Sequence, residues 1–516
     1  MSSARVRLLV LVLASGCSVF GAASEDDGAD PAGASVPPGQ DPPALQGEPV
    51  DAELNESFGV FVSAKTGSPD GDGSRKSPLR TIEAGIARAR EGGRRVYVCS
   101  GAYQETVTIE NGISIVGGLD CSSSAWKTGG ERSVLLPVQG PALRAKDSDL
   151  PTRVDSFEVR APDSRFSQAP SSIALIAEQA GALTVARSKL IAGRAADGAD
   201  GTEGVQLVAS GSGRGADALP GIGPKAESDY QPFGVPYTAA SPGGQITCQG
   251  EAGHDPEPGG ASGRGGAYHC LPSGVGGNWY EYYRPTIGGV LGAPFVPVAP
   301  VTRSGAAGTN GSDGPSATGM GALTPEGYAT GDGTAGGHGG PGKGGSGSGA
   351  QSGLYHVNCS TYLNLIYVAI GGAGGGSGGC PGLAGTPGKG GGASIAALLF
   401  ASEGLTFDAT ELVAGQAGNG GKGTFGSQPT PGGPPGTSRL PSQAAAGGAG
   451  GRSGVSGSGA GGPSLGLAQT GGQARFVNGA KATAGQPGQG VPEQTNGQGK
   501  TIPASAAGPA ADVHTF

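Results

Sequence analysis

The sequence has few charged residues and no apolar run long enough to cross a membrane as a helix. A spanning helix needs about 20 mainly apolar residues, and no stretch here approaches that length. Charged residues make up 14% of the chain, and the net charge is −8. The first 16 residues carry +2 and residues 18–56 carry −9, which leaves about −1 for residues 57–516. A near-neutral body excludes an electrostatic surface for nucleic acid or anionic lipid.

The first 17 residues have the pattern of an export signal. Arg5 and Arg7 precede the apolar run Leu8 to Leu13, which is followed by Ala14-Ser15-Gly16-Cys17. A run this short is typical of a cleaved signal peptide. The residues before Cys17 resemble the lipobox of bacterial lipoproteins, although Ala14 stands where that family most often has leucine. The alternative is an ordinary secretory signal with an incidental cysteine.

The lipobox resemblance implies that fatty-acyl chains such as palmitate on Cys17 anchor the protein to a membrane. Ser18, rather than aspartate, follows the cysteine and favours sorting to the outer membrane of a Gram-negative cell. Both the periplasmic and the surface leaflet remain open. Residues 18–56 contain nine acidic residues and no lysine or arginine, so we expect a disordered tether with a reach of roughly 35 Å.

The six cysteines after Cys17 suit an oxidising compartment. They are Cys99, Cys121, Cys248, Cys270, Cys359 and Cys380. Taken in order as three pairs, their members are separated by 22, 22 and 21 residues, so we expect the disulfides Cys99–Cys121, Cys248–Cys270 and Cys359–Cys380, although six cysteines allow fifteen pairings.

Residues 59–118 alternate apolar and polar side chains, as at Val96, Val98, Val107 and Ile109, which predicts strands with one buried face. The segment contains Asp70-Gly-Asp-Gly-Ser74, Ser77-Pro-Leu-Arg-Thr-Ile-Glu-Ala-Gly-Ile86, Val96-Tyr-Val98, Gly101-Ala-Tyr103, Glu105-Thr-Val-Thr-Ile109 and Ile113-Ser-Ile-Val-Gly-Gly118. These stretches resemble the N-terminal part of right-handed parallel β-helix proteins of the pectate-lyase-like superfold. The resemblance implies a capping helix near Thr81 to Arg90, followed by the first coils of a solenoid.

An internal repeat of about 22 residues favours the same architecture. Ser172-Ile-Ala174, Leu183-Thr-Val185 and Leu190-Ile-Ala-Gly193 recur without gaps from Ser394 to Gly415. A looser copy runs from Ser464 to Gly485, and Leu363 to Gly372 is interpreted as a fourth, weaker copy. Glycine-rich inserts follow the closing glycines Gly193, Gly371, Gly415 and Gly485, so all should leave from one corner of the solenoid. Two alternatives remain for these inserts: stacked polyglycine or polyproline II-type segments, or disordered loops.

The predicted fold class is therefore all-β, a right-handed parallel β-helix with glycine-rich inserts on one corner. The predicted divisions are a lipoprotein signal peptide (1–16), a lipidated tether (17–56), N-terminal coils (57–192), a glycine-rich insert (193–353), C-terminal coils with glycine-rich loops (354–484) and a glycine-rich tail (485–516).

No catalytic constellation emerges from the sequence. Lyases of the resembled superfold use aspartates for calcium and a basic residue as the base, whereas here Asp155, Glu158, Arg160, Arg187 and Lys189 are scattered. A zinc site built from His254, His269, Cys248 and Cys270 is disfavoured, because exported cysteines form disulfides. We therefore expect no metal and no cofactor, and we lean against an enzyme.

One aromatic cluster could bind a ligand. Trp279, Tyr280, Tyr282 and Tyr283 could stack on sugars or anchor a protein partner, or they could form the small core of the long insert. The predicted function is a structural or adhesive role at the cell envelope, through a glycan, a matrix component or an envelope protein. The alternative is a polysaccharide lyase or hydrolase.

Overall fold

A computed structural model describes the protein, and its regular elements are strands with one helix, Ile82–Arg90, among the described residues. Those residues are 51, 54–92, 94–123, 125–164, 170–219, 240–249, short pieces between 255 and 291, 303–349, 351–355, 362–363, 366–370, 372–438 and 443–516. The expectation of an all-β protein is confirmed. No helix of the described part is long and apolar enough to span a bilayer.

Three parallel sheets form the body, and we number them one to three. Sheet one contains, in spatial order, Gly59–Val62, Arg95–Cys99, Ile115–Leu119, Thr152–Asp155, Leu183–Ala186, Thr406–Asp408 and Arg475–Val477. Sheet two contains Ala102–Tyr103, Ser133–Leu135, Phe157–Arg160, Lys189–Ile191, Glu411–Val413 and Lys481–Thr483. Sheet three contains Val107–Ile109, Leu143–Lys146, Ser172–Glu178, Ser394–Phe400, Ser464–Thr470 and Ala510–Thr515.

The chain visits these sheets in a fixed cyclic order. From Val107 onward it passes through sheet three, then one, then two, and starts again. Each such passage, which we call a round, lies beside the previous one with its strands parallel and paired. Six antiparallel pairs complete the described strands: Val208–Ser210 with Thr247–Gln249, Leu271–Pro272 with Tyr362–Leu363, Thr286–Ile287 with Val290–Leu291, Ala322–Thr324 with Gly327–Ala329, Gln351–Tyr355 with Ile366–Ile370, and Gln494–Thr495 with Thr501–Ile502.

The interior of the rounds is one apolar core to which all three sheets contribute. Val154 of sheet one, Val159 of sheet two and Leu175 of sheet three are fully buried in the same cluster. The helix closes this core at the N-terminal end, because Ile82 and Ile86 pack into it. The helix expected near Thr81 to Arg90 is therefore present. It begins where the Thr81 hydroxyl accepts a hydrogen bond from the Ala84 N–H, as a typical N-cap does.

The ordered body begins earlier than residue 57. Leu54 is buried in a second apolar cluster, on the face of sheet one that points away from the core, with Phe61, Tyr97 and Trp126. The Asp51 carboxylate accepts hydrogen bonds from the backbone and the hydroxyl of Thr128 at 2.8 Å. The end of the predicted tether thus belongs to the fold, because Leu54 packs against this apolar cluster.

The repeat register predicted from the sequence is confirmed. Ile173 pairs with Ile395, and Ile395 pairs with Leu465 on the next strand. Leu190 and Leu412 pair in sheet two in the same ungapped alignment. Leu190 and Leu412 are buried in the core, and a slip of one residue would turn them out of it, so burial fixes this register.

The prediction of a fourth repeat copy from Leu363 to Gly372 was wrong. Strand Ile366–Ile370 pairs antiparallel with Gln351–Tyr355 and does not join the three sheets, which resume only at Ser394. The C-terminal rounds therefore start at Ser394 rather than at residue 354. An apolar run predicts a strand but does not specify its direction or partner.

The described glycine-rich segments are extended and hydrogen-bonded to one another. They lie between a strand of sheet two and the next strand of sheet three, in the excursions 192–393, 414–463 and 484–509. Their backbone bonds recur every third residue: Gly305, Gly308, Gly311 and Gly314 donate to Ala446, Ala449, Arg452 and Val455 at 2.8–2.9 Å. Three residues per turn is the repeat of polyproline II, which has no internal hydrogen bonds and must find partners outside itself.

We call this unit the glycine bundle. It comprises segments 194–204, 212–218, 303–317, 331–348, 372–393, 416–437, 444–462, 486–491 and 503–508. The sequence left two alternatives for the inserts, stacked extended segments or disordered loops. These segments match the first, because they are extended and hydrogen-bonded to one another.

The glycine content of each segment follows from its position in the bundle. Segment 303–317 has neighbours on one side, and glycine occupies every third position from Gly305 to Gly314. A Cβ on Gly308 would lie 1.9 Å from the Gly340 carbonyl oxygen, so no other residue fits there. Segment 372–393 is central and bonds to segments on several sides, and its residues 372–383 are all buried. A segment with neighbours on every side needs small residues at nearly every position, as this one has.

The described residues form two disulfides, and one of them corrects the prediction. Cys99 and Cys121 are bonded as expected, with Cα atoms 5.8 Å apart. Cys248 is bonded to Cys380, so the expected pairs Cys248–Cys270 and Cys359–Cys380 were both wrong. Pairing by sequence interval applies where two cysteines lie on successive rounds, whereas Cys248 lies on the hairpin strand Thr247–Gln249 and Cys380 lies on segment 372–393 of the bundle. Cys270 and Cys359 lie outside the described residues.

Candidate functional site

A row of hydrogen-bonded serines and glycines marks the corner where the excursions leave. The Ser172 hydroxyl accepts from the Gly193 N–H at 2.8 Å, and the Ser394 hydroxyl donates to the Gly193 carbonyl at 2.8 Å. The same two bonds recur one round later between Ser394 and Gly415 and between Ser464 and Gly415. We call this row the serine–glycine ladder.

The ladder lies at one corner of successive rounds. Gly485 donates to the Ser464 hydroxyl at 2.9 Å and continues the row. A Cβ on Gly485 would lie 2.2 Å from the Gly415 carbonyl oxygen, and one on Gly415 would lie 2.7 Å from that of Gly193. These three glycines therefore occupy equivalent places on successive rounds, as predicted, whereas Gly371 lies outside the described residues.

The outer face of sheet one carries an acid–base cluster. Asp155 and Asp408 both align with Ala186 on the strand between them, which separates their positions by about 10 Å at the usual strand spacing. Asp155 is completely buried, while the Asp408 side chain is 22% exposed. Of the scattered charges considered from the sequence, this face contains Asp155 and Arg187.

Arginine side chains neutralise these carboxylates. Arg153 Nε lies 2.7 Å from Asp155 Oδ2, and an Arg187 guanidinium nitrogen lies 2.8 Å from Asp155 Oδ1. Arg153 also lies 3.6 Å from Asp408, whose Oδ1 accepts from the Asn478 side-chain amide at 2.7 Å. Two carboxylates thus face two guanidinium groups, and the cluster is neutral.

This arrangement suits stability better than catalysis. An arginine keeps its proton in proteins, and one that already donates to a buried carboxylate is a poor base. Removing either partner would leave a buried charge without compensation. The sequence did not point to Arg153, Asp408 or Asn478. Aligning the repeat copies would have placed Asp408 at the position of Ala186 and so beside the Asp155 row.

Of the remaining scattered charges, Glu158 and Lys189 belong to a separate row on sheet two, and Arg160 pairs with Glu158 on the same strand. Glu158, Lys189, Glu411 and Lys481 occupy aligned positions on successive strands. Lys481 Nζ lies 3.1 Å from Glu411 and Lys189 Nζ lies 3.5 Å from it. The hydrogen bond and charge of Lys481 lower the pKa of Glu411. These partly exposed pairs alternate in sign and hold the strands in register more than they create a reactive centre.

No group of three or more histidine, cysteine, aspartate or glutamate side chains in the described part of the chain is arranged to hold a metal ion. Cys17, Trp279, Tyr280, Tyr282 and Tyr283 lie outside the described residues, as do His254 and His269. The lipid anchor and the aromatic binding cluster therefore stay predictions from the sequence. No protein-family model, no curated protein and no solved structure matches the chain.

Proposed function

We propose that the chain is a cell-envelope lipoprotein with a structural or adhesive role, anchored through a lipid on Cys17. The observation that carries this proposal is the glycine bundle. Segments from three separate excursions hydrogen-bond into one unit, and the serine–glycine ladder ties that unit to successive rounds of the sheets. Such a body presents a rigid surface. Its partner is a glycan, a matrix component or another envelope protein.

The proposed body is a right-handed parallel β-helix with the glycine bundle along one corner. Three observations support it: the sheets are parallel, the chain visits them in cyclic order, and side chains from all three fill one core. Crossover connections between parallel strands are right-handed in about 98% of cases, which favours that hand. Every long excursion lies between sheet two and sheet three, so all leave from the same corner.

The anchor is tested by phase partition of membranes in detergent. Wild-type protein should enter the detergent-rich phase and incorporate labelled palmitate. The Cys17→Ala variant should do neither, because it has no thiol for the lipid. Ser18→Ala keeps the cysteine and is the matched control. Equal partition of the wild type and Cys17→Ala would contradict the lipoprotein assignment.

The alternative function is a polysaccharide lyase or hydrolase, and the acid–base cluster on sheet one is the feature that favours it. We expect no activity, because both carboxylates of that cluster are already neutralised by Arg153 and Arg187. The purified protein is incubated with pectin or alginate, with and without calcium, and unsaturated products are followed by absorbance. Product that forms in proportion to protein, and that is lost in Arg187→Ala, would establish an enzyme instead.

A further inference from the structure

A recessed polar surface lies where the glycine bundle meets the hairpin formed by Gln494–Thr495 and Thr501–Ile502. The cleft is shallow, and its enclosed space of about 10 Å³ holds about one water molecule. Its lining includes Phe425 from segment 416–437, Arg452 from segment 444–462, and Lys500 from the hairpin. Three side-chain amides, of Gln428, Asn496 and Gln498, complete the polar part of the lining.

The hairpin holds its side of the cleft in place. Asn496 Oδ1 accepts hydrogen bonds from the backbone N–H groups of Gln498 and Lys500 at 3.0 and 2.9 Å. The Lys500 ammonium donates to the Ser453 carbonyl at 2.5 Å. It also lies 3.3 Å from Asp313 Oδ1. The lysine is therefore fixed against the bundle and already has a carboxylate beside it.

Arg452 supplies a positive charge that no carboxylate in the cleft offsets. Its backbone N–H donates to Asn310 Oδ1, so the residue is anchored in the bundle. Its exposed guanidinium has no hydrogen bond or ion pair to any residue in the described part of the chain. Since Asp313 offsets Lys500, the cleft has one uncompensated positive charge. A guanidinium presents a planar set of donors that fits a carboxylate or a phosphate.

The amides and the ring add recognition of a second kind. Gln428 Nε2 donates to Gln498 Oε1 at 2.8 Å, which fixes the two side chains against each other. The other amide atoms of this pair face no protein partner among the described residues, and an amide has both a donor and an acceptor for hydroxyl groups. Phe425 is half-buried and offers an apolar surface in the same cleft. A ring, paired amides and one guanidinium match a sugar ring that carries an acidic group.

We propose that this cleft binds a saccharide unit bearing a carboxylate or a phosphate. The proposal rests on the proposed binding role and names its ligand class. Arg452 receives the acidic group, the Gln428–Gln498 pair receives hydroxyl groups, and Phe425 covers an apolar part of the ring. The site is shallow, so a single sugar binds weakly and many copies along a polymer give useful avidity.

The test uses the full lipidated chain in detergent micelles and ligand-observed NMR. The probes are glucuronic acid and glucose 6-phosphate for the two acidic groups, glucose as the neutral sugar, and inorganic phosphate as the bare anion. We expect both acidic sugars to bind with millimolar dissociation constants, and at least ten-fold more tightly than glucose or phosphate. Arg452→Ala should weaken the acidic sugars at least ten-fold.

Two further variants separate recognition from charge. Arg303→Ala removes an equally exposed arginine that lies about 25 Å away along the bundle at the polyproline II rise, and it should leave binding unchanged. Gln498→Ala should weaken the acidic sugars and leave phosphate unaffected. Equal losses in Arg303→Ala and Arg452→Ala, or equal binding of phosphate and glucose 6-phosphate, would overturn the proposal. Membrane partition does not depend on the cleft, so a failure of the saccharide proposal is distinguishable from a failure of the lipoprotein assignment.

Discussion

Ser394 is the central member of the serine–glycine ladder, and its hydroxyl is used twice. It donates to the Gly193 carbonyl and accepts from the Gly415 N–H, both at 2.8 Å. Ser394 is 0% exposed, while Gly193 and Gly415 are half-buried. Ser394→Ala therefore leaves a half-buried carbonyl and a half-buried N–H without their side-chain partner.

The size of the effect follows from these two groups. An intramolecular hydrogen bond contributes about 0.5–1.5 kcal/mol to stability. Since Ser394→Ala removes two of them, it should lower the free energy of unfolding by about 1–3 kcal/mol. Ser304→Ala is the matched control, because Ser304 is exposed on the bundle, and it should change the free energy of unfolding by less than about 0.5 kcal/mol.

Urea denaturation followed by circular dichroism measures the global effect. Hydrogen exchange of peptides that cover residues 190–196 and 412–418 measures the local one. We expect faster exchange in the peptide that contains Gly415, because its N–H loses the hydroxyl acceptor. If Ser394→Ala and Ser304→Ala have the same urea midpoint and the same exchange, the ladder does not stabilise the corner and the reasoning fails.

Three other perturbations test separate parts of the structure. Gly308→Ala places a Cβ 1.9 Å from a carbonyl oxygen and should cost about 1–3 kcal/mol, seen as faster hydrogen exchange in the bundle; unchanged exchange would contradict the packing. Replacing Cys248 and Cys380 by serine should lower the unfolding free energy by about 2–4 kcal/mol, and peptide mapping that finds Cys248 bonded to another cysteine would refute the pairing. Burial raises the pKa of Glu105, so its contribution to stability is full below the unfolded-state pKa and is lost as pH rises through the raised value. The stability of the wild type relative to Glu105→Gln should fall as the pH rises above 4.5, the ordinary pKa of a glutamate, and a difference that does not change with pH would contradict it.

The rounds were predictable because strands with one buried face alternate apolar and polar residues in the sequence. Alternation at Val96, Val98, Val107 and Ile109 predicts strands with one buried face, and all four side chains are buried in the core. The ungapped spacing between Ser172 and Ser394 predicts their pairing, because identical rounds stack only in one register.

The path of the chain between rounds was not predictable from the same signals. Strand Ile366–Ile370 has the composition of a repeat copy but pairs within the excursion. The partner of Cys248 lies 132 residues away on a segment whose position depends on several other segments. Glycine gives no pattern of polarity from which to infer a neighbour, so the bundle could be proposed from the sequence but its order could not.

The acid–base cluster was half predictable. Asp155 and Arg187 are conspicuous as charges among apolar residues, but their pairing depends on which strands lie side by side. Arg153 lies two residues before Asp155 on the same strand, so both side chains lie on the outer face. That geometry is implied by the strand period once the strand is known.

The central place of segment 372–393 has a consequence for the order in which the protein assembles. Its hydrogen-bonding partners include residues 416–462, which leave the ribosome after it. The segment therefore cannot reach its final place until most of the chain has been made. Until then it is a small, weakly apolar tract with little tendency to collapse on its own. Contacts this distant in sequence form slowly. Late closure of the bundle is compatible with the proposed export, in which the chain would cross a membrane unfolded and fold on the far side.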